Sequence, residues 1–116
     1  MAQDLYPEAT PAVARRRKEL TPSATEAFDN FSKAVFAEGA LDERTKQLIA
    51  VAVAHVTQCP YCIAGHSALA KRKGASAEQI MEAIWVAAEM RAGGAYAHST
   101  IALTAIGEVP TSGHPH

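Results

Sequence analysis

Two cysteines and a histidine lie close together in the middle of the chain, in the stretch QCPYCIAGHSALAKRKG at positions 58–74. Cys59 and Cys62 are three positions apart, and His66 follows four positions after Cys62. A cysteine thiolate attacks peroxides and disulfides, two cysteines at this spacing can close a disulfide, and an imidazole nearby can accept or return a proton. The stretch therefore predicts a nucleophile, a second thiol that resolves it, and an acid/base group.

Two other interpretations use the same residues. Cys59, Cys62 and His66 could bind zinc together with a distant His55 or His98, but there is no second CxxC or HxxxH pair in the chain. The cysteines could also be unrelated buried residues. The string Cys-Pro-Tyr-Cys occurs in glutaredoxins as well, but that fold requires a strand before the motif, and here the surrounding patterns are helical.

Helices are predicted on both sides of the cysteines. Asp42 is a good N-cap for a helix that includes the apolar run 48–56, where alanines at 50, 52 and 54 favour a buried helix over a strand. After a break at 57–58, Pro60 suits the first turn of a second helix, which places Cys59 at its N-cap and Cys62 in its first turn. That helix is expected to end at Gly74.

The other elements follow from similar signals. A helix starts either at Ser23, which has capping-box spacing to Glu26, or at Thr21-Pro22, and continues to Gly39. Ser76 caps a further helix that should break or kink at Gly93-Gly94, before a last helix over 95–106. The prediction is an all-α bundle of about five to six helices, with an arm at 1–20, a helical domain at 21–106 and a flexible tail at 107–116. The apolar positions of these helices are Phe28, Phe31, Val35, Phe36, Ile80, Ile84, Trp85 and Ala88.

Composition narrows the choice of partners. Apolar residues make up 48% of the chain but aromatic residues only 6%, so we expect the core to be completed at a subunit interface. The net charge of −1 gives no electrostatic case for nucleic acid, and the basic run 15–18 is interpreted as a solvated helix face or an interface contact.

The N-terminus lacks an apolar secretory run, and no stretch is long enough to cross a membrane. The expected location is cytoplasmic, where a CxxC pair is more often catalytic or metal-binding than structural.

The segment KQLIAVAVAHVTQCPYCIAGHSALAKRKGAS, positions 46–76, resembles the carboxymuconolactone decarboxylase/AhpD superfamily on its alkylhydroperoxidase-like CxxC side. The resemblance implies a helical-hairpin fold and a homo-oligomer, either a trimer or a hexamer. It also implies a thiol-dependent peroxidase or disulfide reductase without a bound cofactor or metal, acting on a hydroperoxide and restored by a dithiol donor. Cys62 would be the peroxidatic nucleophile, Cys59 the resolving thiol and His66 the relay histidine.

The resemblance is incomplete at two positions. Gln47 stands where AhpD has a relay glutamate, and Tyr61 stands where AhpD has a histidine. Glu89, among apolar neighbours, is the preferred replacement acid and is expected to be partly buried near His66, although a structural ion pair with an arginine is an alternative. Supporting candidates are Gln47, Glu43, Tyr61, Tyr96 and His98. Two further functions stay open: a non-enzymatic helical oligomer, as redox sensor or zinc-binding module, and a lyase acting on a small carboxylated ring.

Overall fold

The computed structural model describes residues 5–111. This part of the chain contains five helices and no strand, which confirms the all-α prediction. Residues 1–4 of the predicted arm and 112–116 of the predicted tail lie outside the described residues. The helices are α1 Pro11–Leu20, α2 Pro22–Phe36, α3 Glu43–Thr57, α4 Pro60–Arg72 and α5 Ala77–Ala105.

The central helix of the fold is α3, which packs extensively against both α4 and α5. Its Val51 is fully buried and forms the core with Ala70 of α4 and Ala75 of the following loop. Because two of these three side chains are alanines, the helices approach closely but remove little apolar area from water. The apolar run 48–56 is helical as predicted, and partly buried residues complete the cluster: Leu48, Ile80 and Ile84.

The helix starts follow the predicted caps. The Asp42 carboxylate accepts a hydrogen bond from the Thr45 N–H at 2.7 Å, which satisfies one of the free donors at the start of α3. Ser76 and Gln79 form a reciprocal capping box at the start of α5. Gly74, expected to end α4, follows it with a φ of +97°, a conformation that suits glycine because it lacks a Cβ.

The chain reverses direction between α3 and α4 at a single residue. Gln58 adopts the left-handed conformation, with φ 59° and ψ 47°, and the Cys59 N–H bonds back to the Ala54 carbonyl at 3.2 Å. Pro60 then occupies the first turn of α4, where its missing N–H removes no helical hydrogen bond. The predicted break at 57–58 and the predicted helix start are both confirmed.

Two predicted boundaries are wrong. The break at Gly93-Gly94 does not occur, because α5 runs unbroken from residue 77 to 105. Neither glycine adopts a positive φ, and each still has the N–H that a helix requires, so the pair lowers helix stability without interrupting it. The second is the end of α2, which lies at Phe36 and not at Gly39, whereas the start of α2 at Pro22 with Thr21 as N-cap is one of the two predicted starts.

A large apolar surface stays outside the core of the single chain. Neither α1 nor α2 contains a buried residue. Phe28 and Phe31 on α2 and Trp85 and Ile101 on α5 are each 63–66% exposed, although the apolar spacing of α2 and α5 suggested core positions. Among the described residues, no helix combines the length and the apolar character needed to cross a membrane.

Candidate functional site

The two cysteines lie at the start of α4, as the sequence predicted. Cys59 is the N-cap, and its sulfur accepts a hydrogen bond from the Cys62 N–H at a distance of 3.3 Å. Both thiols are free and partly exposed. The first turn of a helix carries unpaired N–H groups and the positive end of the helix dipole, so this position stabilises a thiolate.

The two thiols differ in acidity. The pKa of Cys59 is lowered, first because the Cys62 thiol donates a hydrogen bond to its sulfur and then because the Cys62 N–H does the same. The pKa of Cys62 is raised, because its thiol donates that bond, because it is partly buried, and because the Cys59 thiolate has a like charge. Cys59 is therefore the thiol that ionises first in the reduced pair. The helix dipole favours the same order, because Cys59 is the N-cap, whereas the family resemblance assigns the first attack to Cys62.

His66 is held by a buried amide and an aromatic ring. Its Nδ1 lies 2.7 Å from the Oε1 of Gln47, a side chain only 5% exposed. An amide oxygen only accepts hydrogen bonds, so Nδ1 donates and Nε2 of the neutral ring has the free lone pair. The ring stacks on Phe36 with centroids 5.1 Å apart and planes 25° apart. This arrangement fixes the tautomer in which Nε2 can act as a base.

Cys62 and His66 line the same apolar cavity, which has a volume of about 440 Å³. Its walls come from the end of α2, one face of α3 and the start of α4. Cys59 is not among the lining residues, so the less acidic thiol is the one on the cavity wall. The other lining residues are Val35, Phe36, Lys46, Ile49, Ala50, Val53, Ala54 and Thr57.

Lys46 and Phe36 had not been assigned to the site from the sequence. Phe36 was visible only as part of an apolar stripe, and the position of Lys46 depends on how the loop 37–42 brings α2 against α3. The Lys46 ammonium donates hydrogen bonds to two backbone carbonyl groups at the end of α2, at 2.9 Å and 2.6 Å. No sequence signal indicates that contact, because it joins residues that are nine and eleven positions apart across a non-helical turn.

The predicted relay Glu89 is exposed, so the expected burial is wrong for the single chain. Its carboxylate lies along its own helix, 3.2 Å from where a Cβ on Gly93 would be. Within residues 5–111, no hydrogen bond or ion pair joins Glu89 to His66 or to either cysteine, and Glu89 does not line the cavity. Its part in proton transfer stays a prediction.

The supporting candidates also lie away from His66. Glu43 forms an ion pair with Lys73, with 2.7 Å between Oε2 and Nζ. Tyr96 and His98 are exposed on α5 and do not line the cavity. Gln47 is the one supporting candidate that contacts the predicted catalytic histidine.

Tyr61 contacts the N-terminal segment instead of the cavity. Its hydroxyl donates a hydrogen bond to the Pro7 carbonyl at 2.6 Å, and its ring meets Tyr6 edge-on with centroids 6.0 Å apart. Tyr61 therefore holds the segment before α1 against the start of α4. At the position where the resemblance to AhpD leads one to expect a histidine, this chain has a tyrosine that makes a structural contact.

The zinc interpretation has no geometric support in residues 5–111, where no group of three or more His, Cys, Asp or Glu side chains is placed to hold a metal ion. His55, one of the proposed fourth ligands, has its Nδ1 2.7 Å from the Val51 carbonyl of its own helix.

Comparison with known proteins agrees with this fold. The model of the carboxymuconolactone decarboxylase family matches residues 22–105, and the chain belongs to that family. It is 60% identical over 109 residues to "Uncharacterized protein 4 in cox locus" of Paracoccus denitrificans, covering 94% of this chain and 97% of that protein. An uncharacterized protein of Cupriavidus necator is 36% identical over 75 residues, covering 65% of this chain and 66% of that protein.

Three solved structures share the fold at 38% identity. A protein of Methanobacterium thermoautotrophicum has a TM-score of 0.68, covering 72% of this chain and 93% of its own. A carboxymuconolactone decarboxylase family protein of Legionella pneumophila has a TM-score of 0.63, covering 68% and 70%. A family protein of Thermotoga maritima, for which a part in an antioxidative response has been suggested, has a TM-score of 0.53, covering 55% and 66%.

The acidity difference between the thiols gives the first prediction. In Cys62→Ser, the serine hydroxyl and the backbone N–H still donate to Cys59, so its alkylation by iodoacetamide should rise with pH below the ordinary cysteine pKa of about 8.5. In Cys59→Ser, burial still raises the pKa of Cys62, so its rate should rise at higher pH. The measurement is the alkylation rate of each variant across pH, with free cysteine as reference. The opposite order would contradict the assignment of the thiolate to Cys59.

Proposed function

We propose that the protein is a thiol-dependent peroxidase or disulfide reductase that cycles between a dithiol and a Cys59–Cys62 disulfide. The observation that carries the proposal is the division of tasks at the start of α4: Cys59 has the lowered pKa, and Cys62 shares an apolar cavity with His66. Family membership and the antioxidative response suggested for the Thermotoga maritima relative support the same chemistry.

In the first step a hydroperoxide enters the cavity and meets Cys62. His66 Nε2, the nitrogen left free by Gln47, takes the Cys62 proton, and the thiolate attacks the terminal peroxide oxygen. An S–O bond forms, the O–O bond breaks, and the alkoxide takes the proton from His66 and leaves as an alcohol. Cys62 is then a sulfenic acid.

In the second step Cys59 resolves this intermediate. Its thiolate attacks the Cys62 sulfur, the S–S bond forms, the S–O bond breaks, and the hydroxide leaves with a proton as water. A dithiol donor then supplies two electrons and two protons through thiol–disulfide exchange. The lowered pKa of Cys59 suits both the resolving step and the reduction step, because it increases the thiolate fraction of the resolving thiol and makes Cys59 the better leaving group when the donor attacks.

Turnover of an organic hydroperoxide with a dithiol tests the proposal. The wild type should consume cumene hydroperoxide, and peroxide without donor should remove two thiols per chain without crosslinking chains. Cys62→Ser should abolish turnover, because it removes the nucleophile from the cavity. Cys59→Ser should leave one round of peroxide reduction, which ends in a trapped sulfenic acid visible by mass spectrometry.

The matched control is His55→Gln. His55 forms its hydrogen bond within its own helix, α3, so this variant should keep the turnover of the wild type. A wild type that reduces neither hydroperoxides nor disulfides would reject the proposed oxidoreductase role. It would leave the non-enzymatic interpretations of the cysteine pair.

Gln47 gives a second test of the mechanism. Gln47→Leu removes the acceptor for His66 Nδ1 and leaves that nitrogen half-buried without its partner, so turnover should fall by about 10²-fold, the low end for general acid–base catalysis. Gln47→Glu keeps an acceptor for His66 Nδ1, in this case a carboxylate, and should keep more activity than the leucine variant. Circular dichroism should show the same helix content in both. Equal activity of the leucine variant and the wild type would remove Gln47 from the mechanism.

We also propose that the chain works as a homo-oligomer, either a trimer or a hexamer. The exposed aromatic residues of α2 and α5 form more apolar surface than single exposed side chains of a monomer explain. Within residues 5–111 the buried core is small, and Val51 is its largest fully buried side chain. A second copy is the occupant that would cover this surface in a closed assembly.

Light scattering coupled to size exclusion measures this directly. At micromolar concentration the mass should be three or six times the 12.3 kDa of one chain. Trp85→Glu should lower the mass, because a charge would be buried at an apolar contact, whereas Glu78→Ala at the start of the same helix should leave it unchanged. A monomer at this concentration would reject the proposal.

A further inference from the structure

One charged side chain lies on the wall of the otherwise mostly apolar cavity. Lys46 lines the cavity near the N-terminal end of α3, and Thr57 lines it at the C-terminal end of the same helix. Eleven residues of α-helix rise by about 16 Å, so the cavity follows α3 over most of its length. A cavity that extends along α3, with mostly apolar walls and a lysine among its lining residues at one end, matches an extended molecule with an apolar body and one negative group.

The Lys46 ammonium is fixed in position by the end of α2. It donates to the carbonyl groups of Val35 and Ala37 at 2.9 Å and 2.6 Å. An ammonium has three donors, so one N–H is left for a ligand. These two bonds also stabilise the C-terminal end of α2, where a cation is favourable. A purely structural part for Lys46 is therefore the rival explanation.

The reactive groups lie partway along the same cavity. His66 is bonded to Gln47, the neighbour of Lys46 in sequence, and Cys62 is one helical turn from His66 on α4. A ligand with its anion on Lys46 would present a point further along its chain to Cys62. The Lys46–Cys62 arrangement thus separates a binding group from a reacting group.

We propose that the substrates of this site are hydroperoxides of aliphatic carboxylic acids, bound with the carboxylate on Lys46, the alkyl chain along α3 and the hydroperoxide at Cys62. The redox step rests on the function proposed above: the O–O bond breaks, the hydroxy acid and water leave, and the two thiols become a disulfide. The binding step does not depend on it, because a carboxylate without a peroxide should occupy the same place. Charge-assisted hydrogen bonds of this type are about twice as strong as neutral ones.

The binding step is tested by calorimetry on the reduced protein with octanoate and octan-1-ol, which share a chain and differ in charge. Lys46→Met should weaken octanoate binding by about 10-fold, equivalent to 1.4 kcal/mol, and should change octan-1-ol binding by less than about 2-fold. Lys33→Met is the matched control, because it removes the same charge from an exposed position of α2 outside the cavity. It should change neither affinity.

The redox step is tested with linoleic acid hydroperoxide and its methyl ester. The wild type should have at least a 10-fold higher kcat/KM for the acid, and Lys46→Met should remove this preference by lowering the rate with the acid far more than the rate with the ester. Lys46→Arg keeps a cation and should keep the preference. If Lys46 only stabilises α2, the methionine variant should lower both rates equally, which would overturn the proposal, as would equal wild-type rates for acid and ester.

The two arms separate this proposal from the general function. Lys46-dependent octanoate binding without turnover of any hydroperoxide would support the anionic site and reject the peroxidase. Turnover of cumene hydroperoxide with no octanoate binding, or with octanoate binding that Lys46→Met leaves unchanged, would support the peroxidase and reject the anionic site.

Discussion

The reversal of the chain at Gln58 is the constraint on which the site depends. One left-handed residue turns α3 back against α4, and the Cys59 N–H closes the turn onto Ala54. This antiparallel pairing brings Gln47 beside His66, although nineteen positions separate them. It also places the cysteines where a helix begins, so one turn determines the acidity of Cys59, the position of Cys62 and the orientation of the histidine.

The buried amide of Gln47 is consistent with the chemistry around it. A carboxylate at the same place would be deprived of water and would either be protonated or form an ion pair with His66. The neutral amide accepts the hydrogen bond from Nδ1 without a buried charge. A protein with glutamine here orients its histidine but cannot pass a proton beyond it, so the proton exchange of the proposed cycle is confined to His66, the two thiols and water.

The fold was largely predictable, because local signals determine its elements. Asp42, Pro60 and Ser76 mark helix starts through rules that operate within four residues, and each is where it was expected. The glycine pair at 93–94 misled the prediction, because glycine allows a break without requiring one. Alanine-rich sequence on both sides was enough to continue α5.

The site was predictable only where its residues share one helix. Cys59, Cys62 and His66 are local to α4, so their spacing placed them correctly. The apolar neighbours of Glu89 in the sequence predict that it is partly buried. Two of them, Trp85 and Val86, are themselves exposed in the single chain, so they do not bury Glu89. Lys46 could not be found, because its place on the cavity wall depends on a tertiary contact with α2.

The contact between Tyr61 and Pro7 couples two distant parts of the chain to one chemical equilibrium. Tyr61 lies between the cysteines, so any shift of the backbone when the proposed disulfide forms would also move the hydroxyl that reaches residue 7. Any difference in the free energy of that contact between the dithiol and the disulfide becomes part of the reduction potential of the pair, about 30 mV for each 1.4 kcal/mol. In the proposed cycle, the segment before α1 would therefore contribute to the reduction potential of the cysteine pair, although no atom of it takes part in the reaction.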